Sequence, residues 1–242
     1  MKRILSILQL VTICFVCKGQ SNDVSLIIGA MHTVALRTSD DKVGNVKFLK
    51  PVRKTFGILF DKHVYKKLSC ELGLQVDDYD AGYEMAYKKN NLNGLEISAG
   101  KLNLGWSLLT YKMLTSIQYE AIKKRKFNVN IITGFCVSYF QYNKHFSDTS
   151  YNVGGPLIYQ TLPAYQKQGI NFLALLGIEA KYSLKKRIYL SLRTSYQHGI
   201  RQFFYDETRI SIRDEPQRGY TTTQTFIYGS TFQGHFGFGY KF

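Results

Sequence analysis

The closing stretch FIYGSTFQGHFGFGYKF, residues 226–242, decides how this chain folds. Its even positions read Phe226, Tyr228, Ser230, Phe232, Gly234, Phe236, Phe238, Tyr240 and Phe242, and its odd positions Ile227, Gly229, Thr231, Gln233, His235, Gly237, Gly239 and Lys241. A β-strand sends alternate side chains to opposite faces, so one face of this segment is almost wholly aromatic and the other small or polar. Helical spacing would scramble the two sets. In a water-soluble sandwich a face this bulky needs a deep opposing layer, whereas hydrocarbon receives it with no protein partner.

Working back along the chain, the same two-residue period returns. Ile170, Phe172, Ala174, Leu176, Ile178, Ala180, Tyr182 and Leu184 oppose Asn171, Gly177, Glu179, Lys181 and Ser183, with Leu173 and Leu175 as exceptions. Ile188, Leu190, Leu192, Thr194 and Tyr196 oppose Ser191, Arg193, Ser195 and Gln197. The pattern recurs over 127–139, 109–121, 68–77 and 55–61, and least cleanly over 24–36. Connections alternate in length: tight at Tyr65-Lys66-Lys67, Lys123–Lys126 and Lys185-Lys186-Arg187, and long near 38–53, 80–102, 142–168 and 204–222. Short alternating with long is how an up-and-down membrane barrel is strung, with tight periplasmic turns and longer loops outside. The expectation is an all-β fold: an eight-stranded antiparallel up-and-down transmembrane β-barrel, both ends on the periplasmic side.

The amino terminus reads as an address. Lys2 and Arg3 precede a mostly apolar run from Ile4 to Cys17, followed at once by Lys18, Gly19, Gln20, Ser21 and Asn22. A charged start, a short apolar segment and a small residue at the break describe a secretory signal peptide, residues 1–19, ahead of a barrel domain at 20–242. Cutting there leaves 29 basic against 17 acidic residues, a formal charge of +12. Of the four cysteines only Cys70 and Cys136 remain, too few to staple an extracellular scaffold. Ile13 and Val16 stand where a lipidated Cys17 would need small residues, which argues against a lipid anchor. The 242 residues carry 16 Phe and 18 Tyr, against disorder, and beyond the leader no apolar run is long enough for a spanning helix.

The alternating strands and the terminal Gly234-His235-Phe236-Gly237-Phe238-Gly239-Tyr240-Lys241-Phe242 resemble the small outer-membrane β-barrel proteins of Gram-negative bacteria. Within that group the lysine-rich turns and the layout are most similar to the PorT-like outer-membrane β-barrel domain family, over residues 24–242. The resemblance implies location in the cell outer membrane and insertion by the barrel assembly machinery, with Phe236, Phe238, Tyr240 and Phe242 as the insertion signal. It also implies a link to secretion, which nothing else in the sequence supports.

Function is written more faintly. Eight strands leave room for side chains and little else, so solute transport is disfavoured. The inward set holds Asp61, Glu71, Asp77, Lys112, Glu120, Glu179, Lys181, Arg193 and Arg201, acids and bases in similar number, which should pair into a lumen network. Polar filler is the plainer account of that network; an ion or proton path is the sharper one. His145, Ser147 and Asp148 share a long loop, but a catalytic triad is defined in space and not by adjacency. His32, His63, His198 and His235 show no metal-ligand spacing; Asp77, Asp78 and Asp80 offer oxygen ligands without the calcium-loop pattern. Gly154-Gly155-Pro156 lacks the lysine and helix of a phosphate loop. The basic turns suit anionic lipid head groups or simple turn solubility, and not nucleic acid.

The reading is therefore a non-enzymatic outer-membrane barrel without cofactor. It would anchor, scaffold or serve secretion through rim and loops, with membrane lipid, the assembly machinery and loop- or turn-bound proteins as partners. The alternatives are an outer-membrane hydrolase of lipid or peptide and a soluble calyx for an apolar ligand.

Overall fold

The computed structural model describes residues 22–40, 44–49, 52–87, 91–92, 95–96, 101–140, 150–152, 157–166, 169–202, 204–212 and 219–242. Eight long strands make the body: β1 (Asn22–Ser39), β2 (Val52–Tyr65), β3 (Leu68–Tyr87), β4 (Lys101–Lys124), β5 (Phe127–Phe140), β6 (Gly169–Ser183), β7 (Ile188–Gly199) and β8 (Tyr220–Lys241). Each pairs antiparallel with its chain neighbour, and β1 pairs with β8, so the sheet closes on itself without an edge. The described residues contain no helix.

The register fixes the shape. A row of paired residues runs Asp23, Asp61, Glu71, Ser116, Gly134, Leu175, Gln197, Thr231 and arrives back on β1 at Thr33. The return lies ten residues above the start, 33 minus 23. With strands about 4.8 Å apart and a rise of about 3.3 Å per residue, that stagger tilts the strands by about 40°. Such a barrel is narrow enough for its own side chains to fill.

The two-residue period places side chains as the alternation requires. Leu26, Ile28, Phe56, Leu74, Ile117, Ile131, Phe135, Phe172, Leu176, Ile178, Leu192, Phe232, Phe236 and Phe238 point outward and are exposed, Leu176 at 60%. Between them Ser25, Thr55, Gln75, Ser116, Ser138, Asn171, Ser195 and Gln233 point inward and are buried. The protein is inside out by the standard of a water-soluble domain, whose large exposed side chains are polar. Leu173 and Leu175, exceptions to the sequence alternation, obey the geometry: they point inward and pack with Leu114, Ile132 and Cys136 in one buried cluster. They were out of pattern only because that patch of lumen is apolar.

Short turns join the strands at one end. Lys66 and Lys67 link β2 to β3, with Lys66 at φ 43, and Arg125 and Lys126 link β4 to β5. Leu184 through Arg187 link β6 to β7, held by Leu184 N donating to Ile188 O at 2.9 Å. The amino-terminal end of β1 and the carboxyl end of β8 meet here too, with Phe242 N donating to Asn22 O at 2.8 Å.

At the opposite end the long connections contain more strand than their sequence suggests. Residues 44–49 pair with the upper part of β3, and β3 and β4 remain paired out to Ala86 and Lys101. Leu157–Gln166 pairs with Phe204–Ile212, which in turn pairs with the first half of β8. This second partner takes over where β7 stops, and the changeover needs a bulge. Between the pairs Thr33–Thr231 and Ala35–Ile227, three residues of β8 face one of β1. Gly229, at φ 82, supplies the left-handed backbone such a bulge demands. Ser230 turns inward to accept from Gly199 N at 3.0 Å, and Asn171 Nδ2 donates to Tyr228 O at 2.9 Å. Ser230 is thereby buried, a departure from the outward row the sequence alone assigned to it.

Candidate functional site

Among the described residues the interior is the most organised polar region. Because inward side chains come from every second position of all eight strands, charges far apart in sequence stack into layers along the barrel axis. Among the described residues three layers carry ion pairs. Nearest the turn end, Lys181 Nζ on β6 contacts Asp61 Oδ2 on β2 at 2.5 Å and Glu179 Oε2 at 3.4 Å. Above it, Arg193 on β7 grips Glu71 on β3 with both guanidinium nitrogens, at 2.5 and 3.0 Å. Highest, Lys112 Nζ on β4 meets Asp77 Oδ2 on β3 at 2.5 Å and donates to Gln197 Oε1 at 2.5 Å.

Neutral side chains tie the layers together. Gln118 Nε2 donates to Asp61 Oδ1 at 3.0 Å and to Glu71 Oε2 at 2.6 Å, while its oxygen accepts from Asn130 at 3.2 Å. Ser116 adds a third donor to Glu71 at 2.9 Å. Asp77 accepts from Thr55 at 2.5 Å, Gln75 at 2.6 Å and Gln233 at 2.9 Å. A buried carboxylate persists only when paired and hydrogen-bonded, and Asp61, Glu71 and Asp77 each are. The bidentate guanidinium fixes geometry as well as charge.

The sequence-assigned network thus divides. Asp61, Glu71, Glu179, Lys181 and Arg193, with Asp77 and Lys112, come together in the lumen, each no more than 7% exposed. Glu120 stands at the turn-end mouth, half-buried, and pairs with the exposed Lys123 at 3.2 Å. Arg201 is outside the network: it lies past the end of β7, exposed, where the inward–outward alternation has already stopped. The amides Gln75, Gln118, Gln197 and Gln233 were not singled out from sequence. Their signal was parity, for each sits at an inward position of a charged strand.

Below the lowest layer a polar cavity of about 360 Å³ opens at the turn end. Asp23, Asp61, Glu120 and His63 line it together with Lys67, Lys123, Lys181 and Lys241. Above it lie the ion pairs and the cluster of Leu114, Ile132, Cys136, Leu173 and Leu175.

The remaining candidates scatter. His32 and His198 face outward, His63 borders the cavity and His235 is buried in the lumen with Nε2 3.4 Å from Thr55 Oγ1. Asp77 and Asp78, as adjacent strand residues, face opposite sides of the wall, and Asp77 is committed to Lys112, so no shared calcium site forms from them. Among the described residues no group of His, Cys, Asp or Glu is arranged to hold a metal ion. His145, Ser147, Asp148 and Gly154-Gly155-Pro156 lie outside the described residues, as do residues 1–19, expected from sequence to be a signal peptide. Phe236 and Phe238 sit on the outward face of β8, Tyr240 half-buried beside Arg187, which donates to its hydroxyl at 3.1 Å, and Phe242 exposed at the end.

Comparison with solved structures returns matches of low sequence identity. The chain is similar to the outer membrane protein OprG from Pseudomonas aeruginosa, at 14% identity and a TM-score of 0.46, over 91% of this chain and 96% of that one. It is also similar to Neisserial surface protein A, at 10% identity and 0.43, over 90% and 97%. The attachment invasion locus protein of Yersinia pestis matches at 8% identity and 0.37, over 91% and 99%. No family model matches the chain, the PorT-like family included, and no curated protein matches its sequence.

Proposed function

We propose that the chain is a non-enzymatic integral protein of the bacterial outer membrane, delivered by its leader, that acts as an anchor and contact platform and not as a pore. One observation carries this reading: a closed barrel whose outer wall is a belt of exposed Leu, Ile and Phe while its bore is filled by interlocked ion pairs. An apolar belt around a closed sheet suits hydrocarbon, where every backbone group must already be satisfied. A bore packed with paired charge opposes conduction, and it is the reverse of the apolar hollow a ligand-binding calyx requires.

Contacts with partners would then fall to what projects beyond the belt: the paired extensions at 44–49, 157–166 and 204–212, and the basic turns. Assembly through the terminal aromatic row Phe236, Phe238, Tyr240 and Phe242, and service to a secretion system, belong to the same proposal through the family resemblance.

Fractionation tests it. The mature protein should leave membranes only with detergent, migrate differently on gels when heated, and give no steady conductance in a planar bilayer. A mature chain that stays monomeric in buffer without detergent would refute membrane insertion; an ohmic channel would refute the closed bore.

A further inference from the structure

The turn end carries a charge pattern to which the anchor reading assigns no ligand. Lys66 and Lys67, Lys123 through Lys126, and Lys185 through Arg187 are all exposed, and the turns they form contain no acidic residue. The carboxylates at this end, Asp23, Asp61 and Glu120, line the cavity on the barrel axis. Lys67, Lys123, Lys181 and Lys241 reach the same cavity, while Lys66, Lys124, Arg125, Lys126 and Lys185 through Arg187 are exposed on the turns and do not line it. The three turns follow β2, β4 and β6, every second strand, so their cations are spread around the barrel and not gathered on one side; Lys241, at the end of β8, instead lies over the buried Tyr189 ring at 5.4 Å and faces the cavity.

Directly above them stands an exposed row of amphipathic and aromatic side chains. Tyr65 ends β2, Phe127 opens β5, Tyr182 is near the end of β6, Tyr119 lies on the last turns-ward part of β4, and Phe242 closes the chain. The two sets touch: Lys66 Nζ is 5.0 Å from the Tyr65 ring centre and Lys67 Nζ 5.9 Å from that of Tyr119. Tyrosine at that depth marks a membrane–water interface in barrels.

Geometry then places the cations. The turns, two residues long at 66–67 and 125–126 and four at 184–187, project at most about 5 Å past the strand ends, since about half of each runs outward at a rise of about 3.3 Å per residue and this tilt. The polar layer on each side of a bilayer is about 5–7 Å thick. With the tyrosine row taken as the membrane–water interface, the ammonium and guanidinium groups would lie within the headgroup layer, not beyond it. A soluble acidic protein would meet a protruding, one-sided patch; these cations form a low ring around the whole perimeter.

We infer that the turn end is a ring-shaped binding surface for anionic phospholipid, phosphatidylglycerol-like headgroups of the periplasmic leaflet, recruited by the lysine and arginine turns beneath the tyrosine row. The inference rests on the membrane reading and names the lipid that the barrel would gather.

Spin-labelled lipids test it. Full-length mature protein is reconstituted in phosphatidylcholine vesicles, and the motionally restricted fraction is compared for spin-labelled phosphatidylglycerol and phosphatidylcholine. At low salt the phosphatidylglycerol association constant should be about fivefold the larger, as ~1 kcal/mol per basic residue near an anionic surface implies. The preference should shrink as salt rises. It should vanish when the nine lysines and arginines of the three turns are all replaced by Gln; replacing the β4–β5 turn alone, Lys123–Lys126, should remove part of it. Because the full variant risks misassembly, its heat-dependent gel shift is read alongside, and the single-turn variant carries the test if it fails. Equal association of the two lipids with a folded wild-type barrel, or an undiminished preference in a folded variant, overturns this inference alone. No restricted component for either lipid overturns the membrane reading and this one together. Equal association accompanied by salt-sensitive binding of poly-glutamate to the detergent-solubilised protein would assign the ring to an acidic polypeptide instead.

Discussion

Arg193→Met should be the most damaging single change in the lumen. Arg193 is 2% exposed and Glu71 1%, and the guanidinium supplies two of the contacts that hold the Glu71 carboxylate. Removing one partner of a buried ion pair costs about 3–5 kcal/mol, because the other charge stays behind without compensation. Here Ser116 and Gln118 still donate to Glu71 at 2.9 and 2.6 Å, which places the expected loss at the lower end, about 3 kcal/mol. That corresponds to about a hundredfold in the folding equilibrium. The same loss should largely disappear in Arg193→Met with Glu71→Gln, since both charges are then gone: the amide oxygen can accept from Gln118 while the Ser116 hydroxyl turns to accept from the amide nitrogen. Urea titration in phosphatidylcholine vesicles, with the folded fraction read from the heat-dependent gel shift, measures all three proteins. A single-variant loss below about 1 kcal/mol, or a double variant no more stable than the single, would refute the paired-lumen account.

Other consequences are simpler to read. Leu176→Arg, on the outward face of β6, should cost about 2–4 kcal/mol if it lies near the bilayer midplane, and Ser183→Arg at the turn end about 0–1, by the same titration. Deleting Phe242, or changing Phe238 and Tyr240 to Ser, should leave protein in the periplasm, and unchanged levels in the outer-membrane fraction would count against the terminal row as an insertion signal. A side chain at Gly239 would collide with the Tyr189 ring, so Gly239→Val should destabilise by about 1–3 kcal/mol through overpacking. In the loop-end strand at 204–212, the Tyr205 hydroxyl, then Gln224 and Arg209, hold the Glu207 carboxyl below its usual 4.5. Its contribution is therefore present above that value and fades as pH falls through the lowered one. Amide exchange over 205–211 should be faster in Glu207→Gln than in wild type at neutral pH, and the two should converge in acid.

Much of this architecture is legible in residue order because one face of every strand had to be apolar. Phe232, Phe236 and Phe238, or Phe172, Leu176 and Ile178, announce an outer wall without any knowledge of their neighbours, and parity alone assigns Glu71, Lys112, Lys181 and Arg193 to the bore. What parity cannot supply is the partner, because height depends on the stagger between strands. That is why Arg193 meeting Glu71, and Lys181 meeting Asp61, required the ten-residue offset. Parity also fails where regular pairing fails. Ser230 turns inward at the Gly229 bulge, Arg201 sits past the last residue of β7, and the segments at 157–166 and 204–212, with weak alternation of their own, become strands only by pairing with each other and with β8.

The account stands on hydrocarbon being the medium around the outward row. In a background with Cys70→Ser and Cys136→Ala, nitroxide labels placed one at a time from residue 174 to 178 on β6 measure it, through collision with dissolved oxygen and with a water-soluble nickel chelate. Positions 174, 176 and 178 should show high oxygen and low nickel accessibility, and 175 and 177 should be low for both. Free access of the nickel chelate to 176 and 178 in the folded, vesicle-reconstituted protein would place those side chains in water and contradict the account.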